Sequence, residues 1–443
     1  MIATIVYEND RSIQEPEYGR IPMLKRILAT AMLVAMAGTA MAQEPRTLTI
    51  ISHNVHKTAA TGGDLATAQN IAGEWAERNN VTLNWVTLDI GPLHDRLLRE
   101  MSLGETSVDL AVVLNTRVVP SVARLLEPLD DLMAANPIED LEGISKGLLD
   151  ATAIDGKRVA IPYRHATNAM LYNKAILDER GIAVPTSLDE LLAAARAATH
   201  VREDGTRVHG LIITAETHVT PLQFLSAFGA TYIAPDLSVH ANSPEMIAGL
   251  TELAKLHQEG VIPPNATTYS LDELIATMRE GRGVFAINPF ARYTALNDPA
   301  ASLYPGQINA IPYPTNVAGK SAANTEFWSW AIPGNSTQKE LAYDLIRELS
   351  SKEATVRAAL NGNGPVRPAA YDDPRIIEKL PYAAAEAVGL RDASIAIPAF
   401  DGAVEATALF IEEMHGALLG LKTPEQAAAD LQTRTEALVA KSK

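Results

Sequence analysis

The sequence predicts an α/β fold of two lobes, in which each lobe is a mostly parallel sheet flanked by helices and a multi-strand hinge joins the two. Short β-rich runs alternate with amphipathic helical segments, which is typical of βαβ units. The run Val108 to Leu114 is apolar at nearly every position, as expected for a strand covered on both faces. Strand-like runs recur at Gly283 to Ile287 and Ile308 to Pro312, which indicates that the chain crosses between lobes more than once.

The amino-terminal part of the chain alternates between two hydrophobic periods. Period-2 or continuous apolar runs predict strands, and 3.6-residue periodicity predicts helices. The predicted elements are a strand from Leu48 to Ser52, a helix from Ala66 to Asn79, a strand from Val81 to Leu88, a helix from His94 to Ser102 and the strand from Val108 to Leu114.

The same alternation restarts after Pro162. The predicted elements of this middle part are strands at Ala169 to Tyr172 and Val208 to Thr214, and helices at Ser187 to Thr199, Pro221 to Phe228 and Pro244 to Glu259. Thr186 or Ser187 can cap the first of these helices. The last quarter is mainly helical, with helices predicted at Gln338 to Leu349, Lys352 to Leu360, Ala403 to Leu419 and Pro424 to Lys441.

The amino terminus carries the pattern of a secretory signal peptide. Lys25 and Arg26 precede an apolar run of about 11 residues, and Ala40-Met41-Ala42 forms a small-x-small cleavage site. The run is shorter than the roughly 20 residues that span a bilayer, so it predicts a cleaved signal and no permanent anchor. Because residues 1–22 are rich in acidic side chains, we expect translation to start at Met23 and cleavage to follow Ala42.

Composition narrows the class of protein. The formal net charge of -16 argues against a nucleic-acid partner, because phosphate binding needs a basic surface. The chain has no cysteine, so it forms no disulfide and offers no lipidation site at the cleavage point. With 47% hydrophobic residues it can bury sizeable cores. We therefore expect a protein that is free in the periplasm, without a lipid anchor.

The segment from Asp155 to Leu191 carries the most specific motif. Asp155 to Lys174, followed by Gly181-Ile182, Pro185 and Asp189-Glu190-Leu191, resembles the lobe crossover of the family 1 extracellular solute-binding proteins of ABC importers, the sugar-binding group that includes maltose-binding protein. Further blocks resemble that family in the same order along the chain: Thr106 to Leu114, Leu126 to Asp131, Phe228 to Ala230, Asn242 to Glu245, Gly260 to Pro264, Met278 to Ala286, Ser350 to Glu353 and Gly364 to Arg367.

This resemblance implies a two-lobe, type II-like periplasmic binding protein. After an extension and signal peptide of 1–42, we expect residues 43–163 with 296–329 to form lobe 1, and residues 164–295 with 330–443 to form lobe 2. The implied function is capture of a small carbohydrate, a mono- or disaccharide, between the lobes and delivery to the permease subunits of an ABC transporter. The implied protein is a monomer without cofactor or metal and is not an enzyme.

Ligand-binding residues are expected in the loops where the family blocks end. A sugar site needs charged or amide groups for paired hydrogen bonds and an aromatic plate for the apolar ring face. The candidates are His53, Asn54, His56, Asn115, Arg117, Tyr163, Arg164, His165, Asn288, Phe290, Arg292, Glu326, Trp328, Trp330 and Arg367. Trp328 is favoured over Trp330 as the plate, because one face of this strand is expected to be core. Thr325-Glu326 replaces the small glycines common in the family, which disfavours long oligosaccharides.

Two alternatives remain open from the sequence. A protein of the same fold could bind a polyol, a phosphodiester or an amino acid derivative, and a preponderance of arginine in the cleft would favour an anionic ligand. A periplasmic glycosidase would need two carboxylates that face one sugar. The sequence contains no Gly-x-Ser-x-Gly and no His-Glu-x-x-His motif, and the pair His53-x-x-His56 has no local third metal ligand.

Overall fold

One long strand joins two groups of strands into a single sheet. The computed structural model describes residues 45–63, 69–317 and 320–442, and the predicted extension and signal peptide, 1–42, lie outside them. Within the described residues, the strands are β1 (Arg46–Ser52), β2 (Val81–Thr87), β3 (Leu110–Leu114), β4 (Ala153–Ile154), β5 (Lys157–Arg158), β6 (Ile161–Asn173), β7 (His200–Val201), β8 (Arg207–Ile212), β9 (Gly283–Pro289), β10 (Ile308–Ile311) and β11 (Thr325–Ala331).

Helices flank this sheet. They are α1 (Asn54–Thr61), α2 (Ile71–Arg78), α3 (Ile90–Met101), α4 (Pro120–Ala123), α5 (Asp130–Ala135), α6 (Lys146–Asp150), α7 (Lys174–Glu179), α8 (Leu188–Ala198), α9 (Val219–Ser226), α10 (Pro244–Gln258), α11 (Leu271–Arg279), α12 (Tyr293–Leu296), α13 (Lys339–Leu349), α14 (Lys352–Leu360), α15 (Pro374–Lys379), α16 (Ala383–Asp392), α17 (Ala403–Leu418) and α18 (Pro424–Lys441). None of the helices in the described ranges has the length and apolar content needed to cross a bilayer. The predicted α/β class is confirmed.

The order of strands is β2-β1-β3-β11-β6-β9-β8-β7, with β10 also paired to β6. At one end β1 runs parallel to β2 and β3, and at the other β8 runs parallel to β9. Between them, β6 is antiparallel to β11 along its first half and to β9 and β10 along its second half. β6 therefore belongs to both groups of strands.

Two sets of hydrophobic residues define the lobes. Around β1, β2 and β3, buried side chains such as Leu48, Ile50 and Trp75 form what we term the first lobe. Around β8 and β9, buried side chains such as Leu211 and Phe285 form the second lobe. Each lobe thus has its own core on its own part of the sheet, which is the division that two independently packed bodies require.

The packing corrects the predicted lobe boundaries. Residues 341–390 were expected in lobe 2, yet α13, α14 and the segment to Leu390 pack mainly in the core of the first lobe, where the Trp75 indole N–H donates to Asp344 at 2.9 Å. Residues 296–323 were expected in lobe 1, yet β10 pairs with the second half of β6. We propose that the first lobe comprises about 45–166 and 325–393, and the second about 167–324 and 394–442.

Three segments pass side by side between the lobes. The Asn168 amide donates to the Asn324 carbonyl at 3.1 Å, the Thr325 amide donates to the Ser394 carbonyl at 3.0 Å, and the Ser394 amide returns a bond to the Ala323 carbonyl at 3.0 Å. The buried Gln223 side chain accepts from the Asn324 amide and donates to the Ala322 carbonyl. These bonds satisfy backbone groups that would otherwise be buried without partners.

Most predicted elements differ from the structure only at their ends. The helix predicted from Ala66 is helical over Ile71–Arg78, and residues 64–68 lie outside the described ranges. Nine helices of the described residues were not predicted. Six have six or fewer residues, namely α4, α5, α6, α7, α12 and α15, and the longer three are α1, α11 and α16. The strand predicted at Ala169 to Tyr172 is in fact the last third of a strand of 13 residues, because the polar residues before Ala169 interrupt the apolar pattern.

We predict that Gln223→Ala lowers the free energy of unfolding by about 1–3 kcal/mol, because it leaves the Asn324 amide buried without a partner. The Ala322 carbonyl also loses one of its two donors and keeps the Ser226 hydroxyl. Urea denaturation followed by circular dichroism measures the change. Gln258→Ala, at an exposed position of α10, is the control and should change the midpoint by less than about 0.5 kcal/mol. Equal effects of the two substitutions would contradict the role given to Gln223.

Candidate functional site

The candidate site lies where β3, β11 and β6 run side by side. Trp328 of β11 pairs with Leu114 of β3 on one side and with Arg164 of β6 on the other. Directly opposed residues of antiparallel strands project to the same face, so Trp328 and Arg164 share a face of the sheet. The predicted candidates Asn115 and Glu326 are close neighbours of these residues along β3 and β11.

A β-bulge sets the orientation of Arg164. Trp330 pairs with Ile161 and Ser329 with Pro162, but Trp328 pairs with Arg164, so Tyr163 has no opposite residue. An extra residue in one strand reverses the side-chain alternation beyond it. Ile161 and Tyr163 therefore project into the core of the first lobe, and Arg164, the very next residue, projects to the same side beside Trp328.

Two polar side chains contact the half-buried Trp328 ring. The Arg164 guanidinium carbon lies 5.8 Å from the ring centroid, a distance at which a cation interacts with the π face. The His56 ring lies 5.5 Å from the Trp328 ring and 6.1 Å from His53. The local fold places both histidines here, because His53 caps α1 by accepting from the Val55 amide, and α1 then presents His56 one turn later.

Several buried polar atoms of this face lack a partner. Both ring nitrogens of His56, which is 1% exposed, and Nε of Arg164 form no hydrogen bond within the described part of the chain. Burial holds the pKa of His56 well below its usual value, and the Arg164 and His53 charges lower it further, so the ring is neutral at pH 7. Buried groups of this kind are normally satisfied, so these atoms are available to a ligand or to water.

Glu326 adds a carboxyl group to the same face, because it lies two residues before Trp328 on β11. Burial raises the pKa of Glu326, and the nearby Arg117 charge opposes that rise. Arg117 is exposed on a short 3-10 helix, Asn115–Arg117, that follows β3 directly. Asn115 is structural in part, since its side-chain oxygen accepts from the Phe327 amide at 2.9 Å.

His165 projects to the opposite side of β6 and lies in a buried network. Its Nε2 is 2.8 Å from the Tyr371 hydroxyl and 3.9 Å from a Glu386 carboxylate oxygen, and its Nδ1 is 2.9 Å from the Thr167 hydroxyl. Burial lowers the pKa of His165 to about 3, which keeps the ring neutral. Gly364 is required beside it, because a Cβ at that position would lie 2.4 Å from the His165 carbonyl oxygen.

The second lobe contributes residues that follow β9. Asn288 and Phe290 are buried, whereas Arg292 is exposed at the end of the 3-10 helix Phe290–Arg292. Phe290 stacks on Tyr382 with ring centroids 5.9 Å apart, and Tyr293 lies 5.2 Å from the same ring. Burial lowers the pKa of Arg164, and the charge of Arg292 lowers it further. The two guanidinium groups are therefore near enough to repel each other.

An open cavity lies at one edge of this face. It has a volume of about 350 Å³ and is lined by His53, Asn54, Thr87, Leu88 and Asp89. His53 Nε2 is 3.9 Å from the Asp89 carboxylate. No three histidine, aspartate or glutamate side chains of the described residues converge as a metal site would require. The arrangement can hydrogen-bond and stack on a polar organic molecule.

Three predicted candidates are corrected by their surroundings. Trp330 is fully buried, and its ring packs 4.6 Å from the Tyr163 ring, so both belong to the core of the first lobe. The Arg367 guanidinium donates to the carbonyls of Glu139, Asp140 and Ser350 and is 2% exposed. Its two terminal nitrogens are used within the protein, where they tie segments of the first lobe together, and its Nε forms no hydrogen bond with the described residues.

Three residues near the site were not predicted: Tyr371, Tyr382 and Glu386. Tyr382 precedes α16, and Glu386 lies on that helix four residues later, so both project from one helical face. Burial raises the pKa of Glu386 to about 8, while a hydrogen bond with Tyr371 and the Arg164 charge oppose the rise. The four-residue spacing of Tyr382 and Glu386 is the sequence feature that could have placed both on one helical face. The segment around them is rich in alanine and shows no amphipathic pattern, so no helix was predicted there.

The chain is similar to known bacterial proteins in sequence and in fold. A family model described as bacterial extracellular solute-binding protein matches residues 70–385. The chain is 22% identical over 423 residues to a probable amino-acid ABC transporter periplasmic-binding protein, y4oP, of Sinorhizobium fredii, covering 93% of this chain and 95% of that one. It is 27% identical over 262 residues to the erythritol/L-threitol-binding protein of Mycolicibacterium smegmatis, covering 55% and 54%. The maltose-bound structure of T. maritima MalE3 superposes with a TM-score of 0.72 at 23% identity, covering 88% and 99%, and shares the fold.

We predict that Arg367→Met lowers the free energy of unfolding by at least about 2 kcal/mol, because three backbone carbonyls, among them the buried one of Ser350, lose a buried charged donor. Chemical denaturation measures this. Arg375→Met is the matched control: its ion pairs with Glu353 and Asp373 lie on the surface and should contribute about 1 kcal/mol or less. An Arg367 variant as stable as the control would refute the structural assignment.

We predict that Glu386→Gln flattens the pH dependence of stability. The folded-state pKa of about 8 exceeds the unfolded value of about 4.3, so the wild type loses stability as pH rises through this window. The variant keeps a neutral group and should gain on the wild type by up to about 1.4 kcal/mol per pH unit. Urea denaturation at pH 5, 6, 7 and 8 tests this. Profiles that run parallel would show that Glu386 is ionised in the folded protein.

Proposed function

Because this chain belongs to the family of bacterial extracellular solute-binding proteins, we propose that it is the periplasmic substrate-binding component of an ABC importer and captures a small carbohydrate between its two lobes. The observation that carries the proposal is the face formed by Trp328, Arg164 and His56, which combines an indole plate with buried donors and acceptors that lack partners. A sugar has a matching pattern, since one ring face is apolar and its edges carry hydroxyl groups.

A small polyol is the second candidate ligand. The relative from M. smegmatis is named for erythritol and L-threitol, which are small acyclic polyols. Glu326 beside Trp328 reduces the room on this face and so favours a short ligand over a long oligosaccharide. A sugar and a polyol present the same kind of hydroxyl array, so the same residues serve either.

The proposed mechanism is closure of the two lobes about the three hinge segments. A solute that touches residues of both lobes favours the closed form by its additional contact energy there. Arg164, His56, Glu326 and Trp328 act from the first lobe, and Asn288 and Arg292 act from the second. Charged hydrogen bonds contribute about 1.5–3 kcal/mol each, so two or three contacts across the cleft are sufficient. The closed form is then recognised by permease subunits in the inner membrane.

We further propose that the protein is exported with a cleaved signal peptide, remains free of a lipid anchor, acts as a monomer and catalyses no reaction. Glycoside hydrolysis needs two carboxyl groups on opposite sides of one sugar. Glu326 lies on the Trp328 face, whereas Glu386 lies beside His165, whose side chain projects to the other side of β6. This separation supports binding over hydrolysis.

A thermal-shift screen against monosaccharides, disaccharides and polyols tests the function, because a ligand that binds only the native state raises the melting temperature. We predict that Trp328→Ala weakens binding of the solute so identified by about tenfold or more, since it removes the stacking plate. Trp330→Phe, two residues along the same strand but in the core, is the control and should retain the response to ligand.

Two results would contradict the proposed function. If Trp328→Ala binds as tightly as the wild type while Trp330→Phe does not, the ligand lies elsewhere. Turnover of a glycoside by the purified protein would favour the hydrolase.

A further inference from the structure

Three arginines of the candidate site have no acidic partner. Arg117, Arg164 and Arg292 form neither an ion pair nor a side-chain hydrogen bond with the described residues. Other arginines without a carboxylate partner either donate to backbone carbonyls, as Arg202 and Arg279 do, or are exposed, as Arg99 and Arg124 are. Arg164 differs from both groups because it is partly buried and still unpaired, so its guanidinium requires an explanation.

Arg164 is the most constrained of the three. It is half-buried, its guanidinium lies against the Trp328 ring, and its Nε has no hydrogen-bond partner among the described residues. The bulge at Tyr163 holds it on this face. Arg292 approaches from the second lobe, because it follows Pro289, which pairs with Asn168 four residues beyond Arg164. The two groups thus enclose one region from two sides.

The neighbouring ionisable groups leave this region positively charged. Glu326 is the carboxyl group on this face, and the three arginines outnumber it. Glu386 lies beside His165 on the other side of β6, and because burial raises its pKa to about 8, its carboxyl is mostly neutral at pH 7. His56 and His165 are neutral because burial lowers the pKa of each. A positive region on a protein with a net charge of -16 is a local feature of the site.

We infer that the solute is an anionic sugar or polyol derivative, whose carboxylate or phosphate is bound by Arg164 and Arg292. This inference rests on the proposed function and specifies its ligand. Guanidinium groups form paired, charge-assisted hydrogen bonds with such oxyanions. The hydroxyl-bearing part of the solute lies on Trp328.

Anion binding also accounts for closure. Arg164 lies on the part of β6 that belongs to the first lobe, and Arg292 follows β9 of the second lobe. Two like charges repel each other as the lobes approach. An anion between them replaces this repulsion with two attractions, so it stabilises the closed form more than the open form. A neutral solute lacks this difference.

The test compares matched probes by isothermal titration calorimetry: D-glucuronate with D-glucose, D-gluconate with D-glucitol, and glucose 6-phosphate. We expect at least one acid to bind about tenfold or more tightly than its neutral partner, and Arg292→Gln to abolish that preference. The carboxylate and phosphate probes distinguish the two anion sources. Arg99→Gln, at an exposed position of α3 outside the site, is the control for loss of one positive charge.

Because Arg292 is exposed, its replacement should leave the fold intact, and a melting curve without ligand checks this. Neutral probes that bind as tightly as their acids in every pair, or an Arg292→Gln effect that is equal for both members of each pair, overturn the anion inference and leave the proposed function standing. Failure of every acid probe to bind also overturns the anion inference, whereas the absence of any shift across the wider thermal-shift panel contradicts the proposed function. If Arg99→Gln also abolishes the preference for the acid, that preference arises from the net charge of the protein. This result would contradict the role proposed for Arg164 and Arg292.

Discussion

The antiparallel pairing of β11 with β6 is the interaction on which the rest of the structure depends. It joins the strands of the first lobe to the strand that continues into the second, and its register places Trp328 opposite Arg164. The hinge bonds at Asn168, Asn324 and Ser394 continue directly from the same pairing. The same strand pairing therefore both connects the lobes and positions the residues of the site.

Burial has opposite consequences on the two sides of this pairing. On the Trp328 side, His56 and Arg164 are buried with polar atoms unsatisfied, which costs free energy that a ligand can recover. On the other side, His165, Thr167 and Tyr371 satisfy one another, which fixes the strand that carries Arg164. A rigid, satisfied network supports an unsatisfied face, as expected where a binding site must be preorganised.

Sequence periodicity predicted the elements whose surroundings are uniform. Helices such as Leu188–Ala198 and Pro424–Lys441 have clear caps and apolar stripes, and their ends were predicted within one residue. Periodicity failed where one strand serves several environments: β6 passes from a core to a polar face to a second core, so only its last part was predicted. The segment Ala383–Asp392 was missed because its small residues give little contrast between faces.

The candidate site was predicted in part for the same reason. Loop ends after strands identified His56, Arg164, Glu326 and Trp328, which the structure brings together. Residue type alone could not separate them from Trp330 and Arg367, because an indole or a guanidinium suits a ligand and a core equally well until its neighbours are known. The lobe boundaries were missed because a chain that returns three times between lobes leaves no compositional mark where it crosses.

The unpaired Tyr163 makes the residue presented beside the indole depend on the register of this crossover. A regular ladder continued from Ile161 without the bulge would place Tyr163 opposite Trp328 and turn the guanidinium of Arg164 to the other face of the sheet. Homologues in which the bulge is absent, with the same residues between the strands, would share the fold but present a different side chain to the solute. Ligand preference in such proteins can therefore diverge through strand register as well as through substitution.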